Sequence, residues 1–295
     1  MAIAHPPELK ELTPQGITVR YCRNRVRCMK GDLVLFHHWH EEYEIMSIES
    51  GHGIFHIDGE TVEASEGDVL FIPPNCLHGG YNASDRPFEY FAIVFNSDLL
   101  SSIGYDLEFE QYIAPFLSGR LRFPFVQSAS DPASARYRNI VKAAIHDFEK
   151  GKRARELIFK YQMQLLFAVM SSRYYPEQYK SRRFPATPLH HVEALKKLIQ
   201  YIETNYAETI TVESAAKMVN LSSFHFCKMF KRMTGRTLID FVNLHRVNQA
   251  TKMLRETDLS IAEIAERIGC CNANYFSKMY FRYKGISPSA ARKTR

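Results

Sequence analysis

A repeat in the C-terminal third is what most restricts the fold of this chain. In TVESAAKMVNLSSFHFCKMFKRMTG, residues 211–235, Val212, Ala215, Ala216 and Val219 fall at i, i+3, i+4 and i+7. In SIAEIAERIGCCNANYFSKMYFRYKG, residues 260–285, Ile261, Ile264, Ala265 and Ile268 repeat that stripe 49 positions later. Past the turn the offset becomes 50, aligning Phe226 with Phe276, Lys228 with Lys278, Met229 with Met279 and Gly235 with Gly285. Apolar residues at this spacing line one face of a helix, and glycine is the usual stop. Each unit therefore reads as a helix, a tight turn and a second helix. Thr211 and Ser260 are predicted to cap the first helices, Ser222 and Asn272 the second.

Such a unit can lay its second helix in the major groove of DNA while the first braces it. The alanines let the two helices cross closely. Phe226, Met229 and Phe230, with Phe276, Met279 and Tyr280 in the copy, are predicted to face the core. The candidate DNA-reading residues are then Ser222, Ser223, Phe224, Cys227, Lys228, Lys231 and Arg232 in the first unit. In the second they are Asn272, Ala273, Asn274, Ser277, Lys278 and Arg282. Lysine suits phosphate or guanine, asparagine suits adenine, and Phe or Ala suits the thymine methyl. A bare repeat of helical hairpins would carry the same stripes, so charge has to decide. From Ser181 to Arg295 there are 19 Lys/Arg and 9 Asp/Glu, against 19 and 23 in the remainder of the chain. Only one end is matched to a polyanion.

Residues 17–97 have a different texture. Runs such as DLVLFHHW, YEIMSIE, GIFHID, VLFIPP and FEYFAIVF are separated by Gly, Asp, Pro and Asn, and Asp58-Gly59 suits a two-residue hairpin. Short strands at this spacing predict a barrel or jelly roll. Helices follow. Asp131-Pro132 looks like an N-cap and first helical residue, opening a helix to about Lys150. A second helix, about 153–175, carries Leu157, Ile158, Tyr161, Leu165, Ala168 and Val169 as an apolar stripe. That stripe suits either the flank of its own barrel or a dimer seam. PEQYKSRRFPATP, with three prolines and a basic cluster, marks a linker.

Within the barrel, HHWHEEYE (37–44) raises the question of a metal. Side chains at even positions of a strand share a face, so His38, His40 and Glu44 are expected to point inward, with His78 joining them from a neighbouring strand. Three imidazoles and a carboxylate suit Mn, Fe, Ni or Zn. The same four groups could instead form a polar floor that hydrogen-bonds a small organic effector. Trp39 has the opposite parity and should pack outside the barrel. Cys270-Cys271 is either a thiol sensor in the second turn or simple packing. The six cysteines show no C-x-x-C pair, which fits reduced thiols. No apolar run nears the ~20 residues of a membrane span, and the start lacks a signal-peptide pattern, so a cytoplasmic site and no membrane partner are expected.

Two resemblances sharpen these expectations. Residues 189–295 resemble the DNA-binding domain of the AraC/XylS family of bacterial transcription regulators. The likeness rests on LSSFHFCKMFKRMTG, on FVNLHRVNQATKML with Arg246, Ala250 and Leu254, and on SIAEIAERIG, NYFSKMYFRYKGISPSAAR and Gly285-x-Ser287-Pro288. It implies two helix-turn-helix units on either side of a long helix, entering successive major grooves. Departures are Cys270 for a usual aromatic, Phe281 for a basic residue and Ala291 for a tyrosine. Gly31-x5-His37, His38-x-His40-x3-Glu44-x6-Gly51 and Gly67-x5-Pro73-x-Asn75-x2-His78-x3-Asn82 resemble the cupin signature, with Asn75 in place of a glycine.

The expected architecture is α+β with two domains. An N-terminal arm (1–17) precedes a cupin-like jelly-roll sensor barrel (18–97), a helical dimerisation segment (98–178, with Leu157, Tyr161, Leu165 and Ala168 at the seam), a linker (179–188) and an all-α DNA-binding domain (189–295). The expected function is a ligand-responsive, homodimeric transcription regulator of double-stranded DNA, not an enzyme. The family resemblance implies a small-molecule effector such as a sugar, and activation of carbohydrate or stress genes through RNA polymerase. The competing class is a cupin metalloenzyme with an accessory helical domain, which leaves the repeat and the basic end unexplained.

Overall fold

In the computed structural model, which describes residues 10–11, 19–26, 30–100, 106–150, 154–180 and 189–293, the N-terminal half is a sandwich of two antiparallel sheets. The strands are β1 (Lys10–Glu11), β2 (Val19–Val26), β3 (Leu33–His38), β4 (Tyr43–Ser50), β5 (His52–Ile57), β6 (Glu60–Ser65), β7 (Val69–Ile72), β8 (His78–Asn82), β9 (Phe88–Phe95) and β10 (Val126–Gln127). One sheet runs β1-β2-β9-β4-β7-β10 and the other β3-β8-β5-β6. Along β4 the alternation sorts side chains: Met46 and Ile48 enter the core between the sheets, with Phe55, Ile57, Leu70 and Tyr90. Tyr43 and Ile45 point the other way, into a second core under the helices.

That second core is built by α1 (Ala114–Leu117), α2 (Ala135–Glu149) and α3 (Arg155–Lys180). Asp131 accepts a hydrogen bond from the Ala133 N–H at 3.0 Å, and the first turn, Pro132–Ser134, is a 3-10 turn leading into α2. On α3 the buried apolar residues are Phe159, Met163, Leu166, Phe167, Met170 and Tyr174. The stripe of Leu157, Tyr161, Leu165 and Ala168 does not pack on its own barrel. These residues are 54%, 62% and 45% exposed for the three large ones, and Ala168 is exposed too.

Three boundaries differ from the sequence reading. Lys10–Glu11, inside the expected arm, forms a strand paired with Arg20 and Tyr21; the rest of the arm lies outside the described residues. Residues 98–178 are not wholly helical, because Val126–Gln127 pairs with β7, capping an edge whose backbone groups would otherwise be unpaired. Helix α3 runs through Pro176 to Lys180, beyond the 178 expected. Proline removes one backbone donor, while Glu177, Gln178 and Lys180 favour helix. Linker residues 181–188 lie outside the described residues, as does Cys28.

The C-terminal domain contains α4 (Leu189–Asn205), α5 (Val212–Met218), α6 (Ser223–Thr234), α7 (Leu238–Glu256), α8 (Ile261–Arg267), α9 (Ala273–Lys284) and α10 (Pro288–Lys293). All four expected caps are present. Thr211 and Ser260 complete capping boxes, and Ser222 and Asn272 accept from the His225 and Tyr275 N–H groups. The predicted core aromatics Phe226, Phe230, Phe276 and Tyr280 are buried, whereas Met229 is half-buried. The four layers of the molecule are thus helices, sheet, sheet and DNA-binding domain. Tyr81 on the outer face of the second sheet hydrogen-bonds the Thr234 carbonyl at 2.9 Å across the domain boundary.

Candidate functional site

His38, His40, Glu44 and His78 converge. One ligand-capable atom from each lies within 4.8 Å of the others. The route differs from the expected one. β3 ends at His38, residues 39–42 form a connection, and Glu44 belongs to β4 in the opposite sheet. A turn, not the shared parity of one strand, brings His40 and Glu44 beside His38. His78 does come from the paired strand, directly opposite His38.

Backbone carbonyls fix the tautomers. His38 Nδ1 donates to the Phe36 carbonyl at 2.8 Å, His40 Nδ1 to Glu42 at 3.0 Å and His78 Nδ1 to Cys76 at 2.8 Å. A carbonyl can only accept, so Nδ1 carries the proton in all three rings. In neutral rings each Nε2 then bears a lone pair. His40 Nε2 and His78 Nε2 both lie against Glu44 Oε2, at 3.0 and 3.1 Å. Without an added cation, these contacts set acceptor against acceptor. Burial, followed by the nearby His78, pushes His38 down to about 3, so its ring is neutral at ordinary pH. Burial alone would raise Glu44, but the His40 and His78 rings set against its oxygen outweigh it and hold the carboxyl well below the usual range. The three orienting carbonyls were not foreseeable, because backbone partners leave no residue-type signal.

The outward face of the same strands packs on the DNA-binding domain. Trp39 packs against the core of the first helix-turn-helix unit, as its parity suggested, with Lys196 Nζ 5.6 Å from its ring centroid. Leu77, fully buried, is part of that core alongside Leu195, Phe226 and Phe230. His37 lies 5.5 Å from Phe241 and 5.6 Å from Tyr81, ring centroid to centroid, and neither of its nitrogens has a hydrogen-bond partner among the described residues. Its pKa is driven well below normal by burial and then by His56. Arg236 stacks over Tyr81 at 4.2 Å and donates to the Gly31 carbonyl. Gly235, left-handed at the end of α6, sits where a Cβ would come within 2.0 Å of His56 Nε2. Lys284 and Asp32 add an ion pair at 3.5 Å.

The candidate reading residues remain accessible with the domains packed together. Phe224 is 75% exposed, and Ser222, Cys227, Lys228, Lys231, Arg232, Asn272, Asn274, Lys278 and Arg282 are exposed as well. Ser223, Ala273 and Ser277 are half-buried. Ser222 and Asn272 also serve as caps, and Arg282 is paired with Asp240 at 3.8 Å. Tyr275 and Phe281, missed as reading candidates, are exposed on α9. Cys271 is exposed while Cys270 is buried, so the two thiols differ in access.

A double helix-turn-helix domain with exposed basic faces, packed on a barrel that holds a buried polar centre, defines a DNA-binding regulator with a ligand-binding domain. Residues 30–166 match the AraC-like ligand binding domain family, and residues 215–294 match a helix-turn-helix domain family. The chain belongs to the AraC family of transcription regulators. It is similar to the HTH-type transcriptional regulator YdeC of Bacillus subtilis, 24% identical over 87% of this chain and 85% of that one. The MmsAB operon regulatory protein of Pseudomonas aeruginosa is 26% identical over 86% and 76%. A crystal structure of ToxT from Vibrio cholerae is 15% identical, covers 92% of this chain and 98% of that chain, and has a TM-score of 0.42. No helix among the described residues is long and apolar enough to cross a membrane.

Proposed function

We propose that this AraC-family, ligand-responsive regulator senses a divalent metal ion of the Zn, Ni, Mn or Fe class at His38, His40, Glu44 and His78. The observation that carries this is the all-acceptor centre. Three rings have each committed Nδ1–H to a carbonyl, and two of their Nε2 atoms lie against one carboxylate oxygen. A bound cation satisfies every one of those lone pairs, and the carbonyls act as the outer partners that orient metal-binding imidazoles. The nitrogen-rich donor set suits transition ions over Mg or Ca. Because the ligating rings have to be neutral, protons compete with the ion and occupancy falls in acid. The centre serves sensing, not turnover; the DNA-binding domain packed on its rim supports that assignment.

The test is elemental analysis of untagged full-length protein, followed by titration of the metal-free chain with each ion. One ion per chain, lost in His40→Ala, is expected. A chain that takes up none of the four ions defeats the metal assignment and leaves the cluster as the floor of a site for an organic effector such as a sugar.

The regulator acts in the cytoplasm as a homodimer, and its output is activation of carbohydrate or stress genes through RNA polymerase. The family resemblance alone supports the target genes and the polymerase. The dimer has support on α3, where Leu157, Tyr161, Leu165 and Ala168 are exposed, three of them bordering a groove of ≈ 770 Å³ with Tyr112. Sedimentation of the full chain should show a dimer that Leu165→Glu converts to a monomer.

A further inference from the structure

We infer that occupancy of the histidine centre is transmitted to the first helix-turn-helix unit by residues that alternate, one by one, between the two. The inference rests on the proposed metal centre and adds how it is read. Along 36–40 the Phe36 carbonyl orients His38, His37 packs outward against Phe241, His38 enters the centre, Trp39 packs outward and His40 enters the centre. Along 76–78 the Cys76 carbonyl orients His78, Leu77 is buried in the core of the first unit, and His78 enters the centre. No residue separates a metal-facing side chain from one embedded in the DNA-binding domain.

The physical consequence follows from close packing. The four ligand atoms spread over 4.8 Å, whereas atoms sharing one tetrahedral ion at ~2.1 Å stand about 3.4 Å apart. Bringing all four to that spacing closes the widest gaps and opens the 3.0 and 3.1 Å contacts to Glu44, which shifts the rings and, through them, the backbone at 38–40 and 76–78. A packed interface resists small continuous deformation and changes by discrete repacking instead. Leu77 and Trp39 therefore carry the displacement into α4 and α6. The second unit has its own core, built from Val247, Leu254, Ile264, Phe276 and Tyr280, and contains none of the barrel's residues. The signal thus changes the placement of one reading helix relative to the other, which alters the fit to DNA that both must contact. By linkage, DNA binding shifts metal affinity by the same factor.

Hydrogen exchange of the metal-free full chain, with and without Zn(II), tests this. Peptides from α4 and α6 should change in exchange rate by about threefold or more on Zn(II) binding, while those from α8 and α9 should not. Leu77→Ala should bind Zn(II) with unchanged stoichiometry yet lose the response in α4 and α6. If that variant does not fold, Tyr81→Phe, which removes only the hydroxyl bonded to Thr234, should reduce the response. Zn(II) binding with changes confined to the barrel overturns the transmission and leaves the metal centre intact. Uptake of none of Zn(II), Ni(II), Mn(II) and Fe(II) overturns the centre itself, and the transmission with it.

Discussion

The two helix-turn-helix units are near copies in sequence but not in their surroundings. Each has a capped brace helix, a reading helix ended by a left-handed glycine, and two buried aromatics. The first shares its core with the barrel through Leu77 and Trp39, and its terminal Gly235 abuts His56. The second closes its own core and meets the barrel near its end, where Lys284 meets Asp32 and Tyr283 packs beside Leu33 and Tyr81. Repetition thus supplies two equivalent readers, and the sensor domain makes them inequivalent.

The largest test compares the cores. Phe226→Ala and Phe276→Ala should each cost about 3–5 kcal/mol in denaturant unfolding of the full chain. Their hydrogen-exchange footprints should differ, with Phe226→Ala loosening strands around 37–39 and 77 and Phe276→Ala confined to α7–α9. Identical footprints would break the comparison. Next come the helix-ending glycines. Gly285→Ala should cost about 1 kcal/mol for a left-handed backbone. Gly235→Ala should cost about 2–4 kcal/mol, because the added methyl also displaces His56. Equal costs would mean that the domains part in solution.

Lys228→Ala and Lys278→Ala should each weaken binding to duplex DNA by about 1–3 kcal/mol and reduce its salt dependence. Indifference of Lys228 alone would show that the barrel-packed unit is held off the DNA. The smallest effect is chemical. Burial raises Cys270, so at pH 8 less of it is thiolate, and it should alkylate more slowly than exposed Cys271 and Cys227. Bound DNA should then protect Cys227, and the same experiment should find Cys22 and Cys76 inert, each pushed up to about 12 by burial.

What the sequence disclosed follows the range of the forces involved. Helix stripes, caps and stops are local, so both units and all four caps were legible, and Asn75, standing in place of a signature glycine, takes the left-handed backbone a glycine would, at φ 62°. The four residues of the centre were legible too, but for a partly mistaken reason, since nothing in HHWHEEYE marks where β3 ends. On α3 two apolar faces compete, Leu157–Tyr161–Leu165 and Phe159–Met163–Phe167. Periodicity finds such faces without saying which one a barrel covers. The domain seam had no local signal at all: Tyr81 and Thr234 are 153 positions apart, and each is an ordinary residue in its own neighbourhood.

Trp39 is the only tryptophan in the chain, and it stands between two histidines of the buried centre while leaning on the DNA-binding domain. The molecule therefore carries a built-in optical probe at its domain boundary. Indole emission shifts to the blue in apolar surroundings and to the red in water. A single unlabelled spectrum of the purified chain should thus report whether the two domains are together.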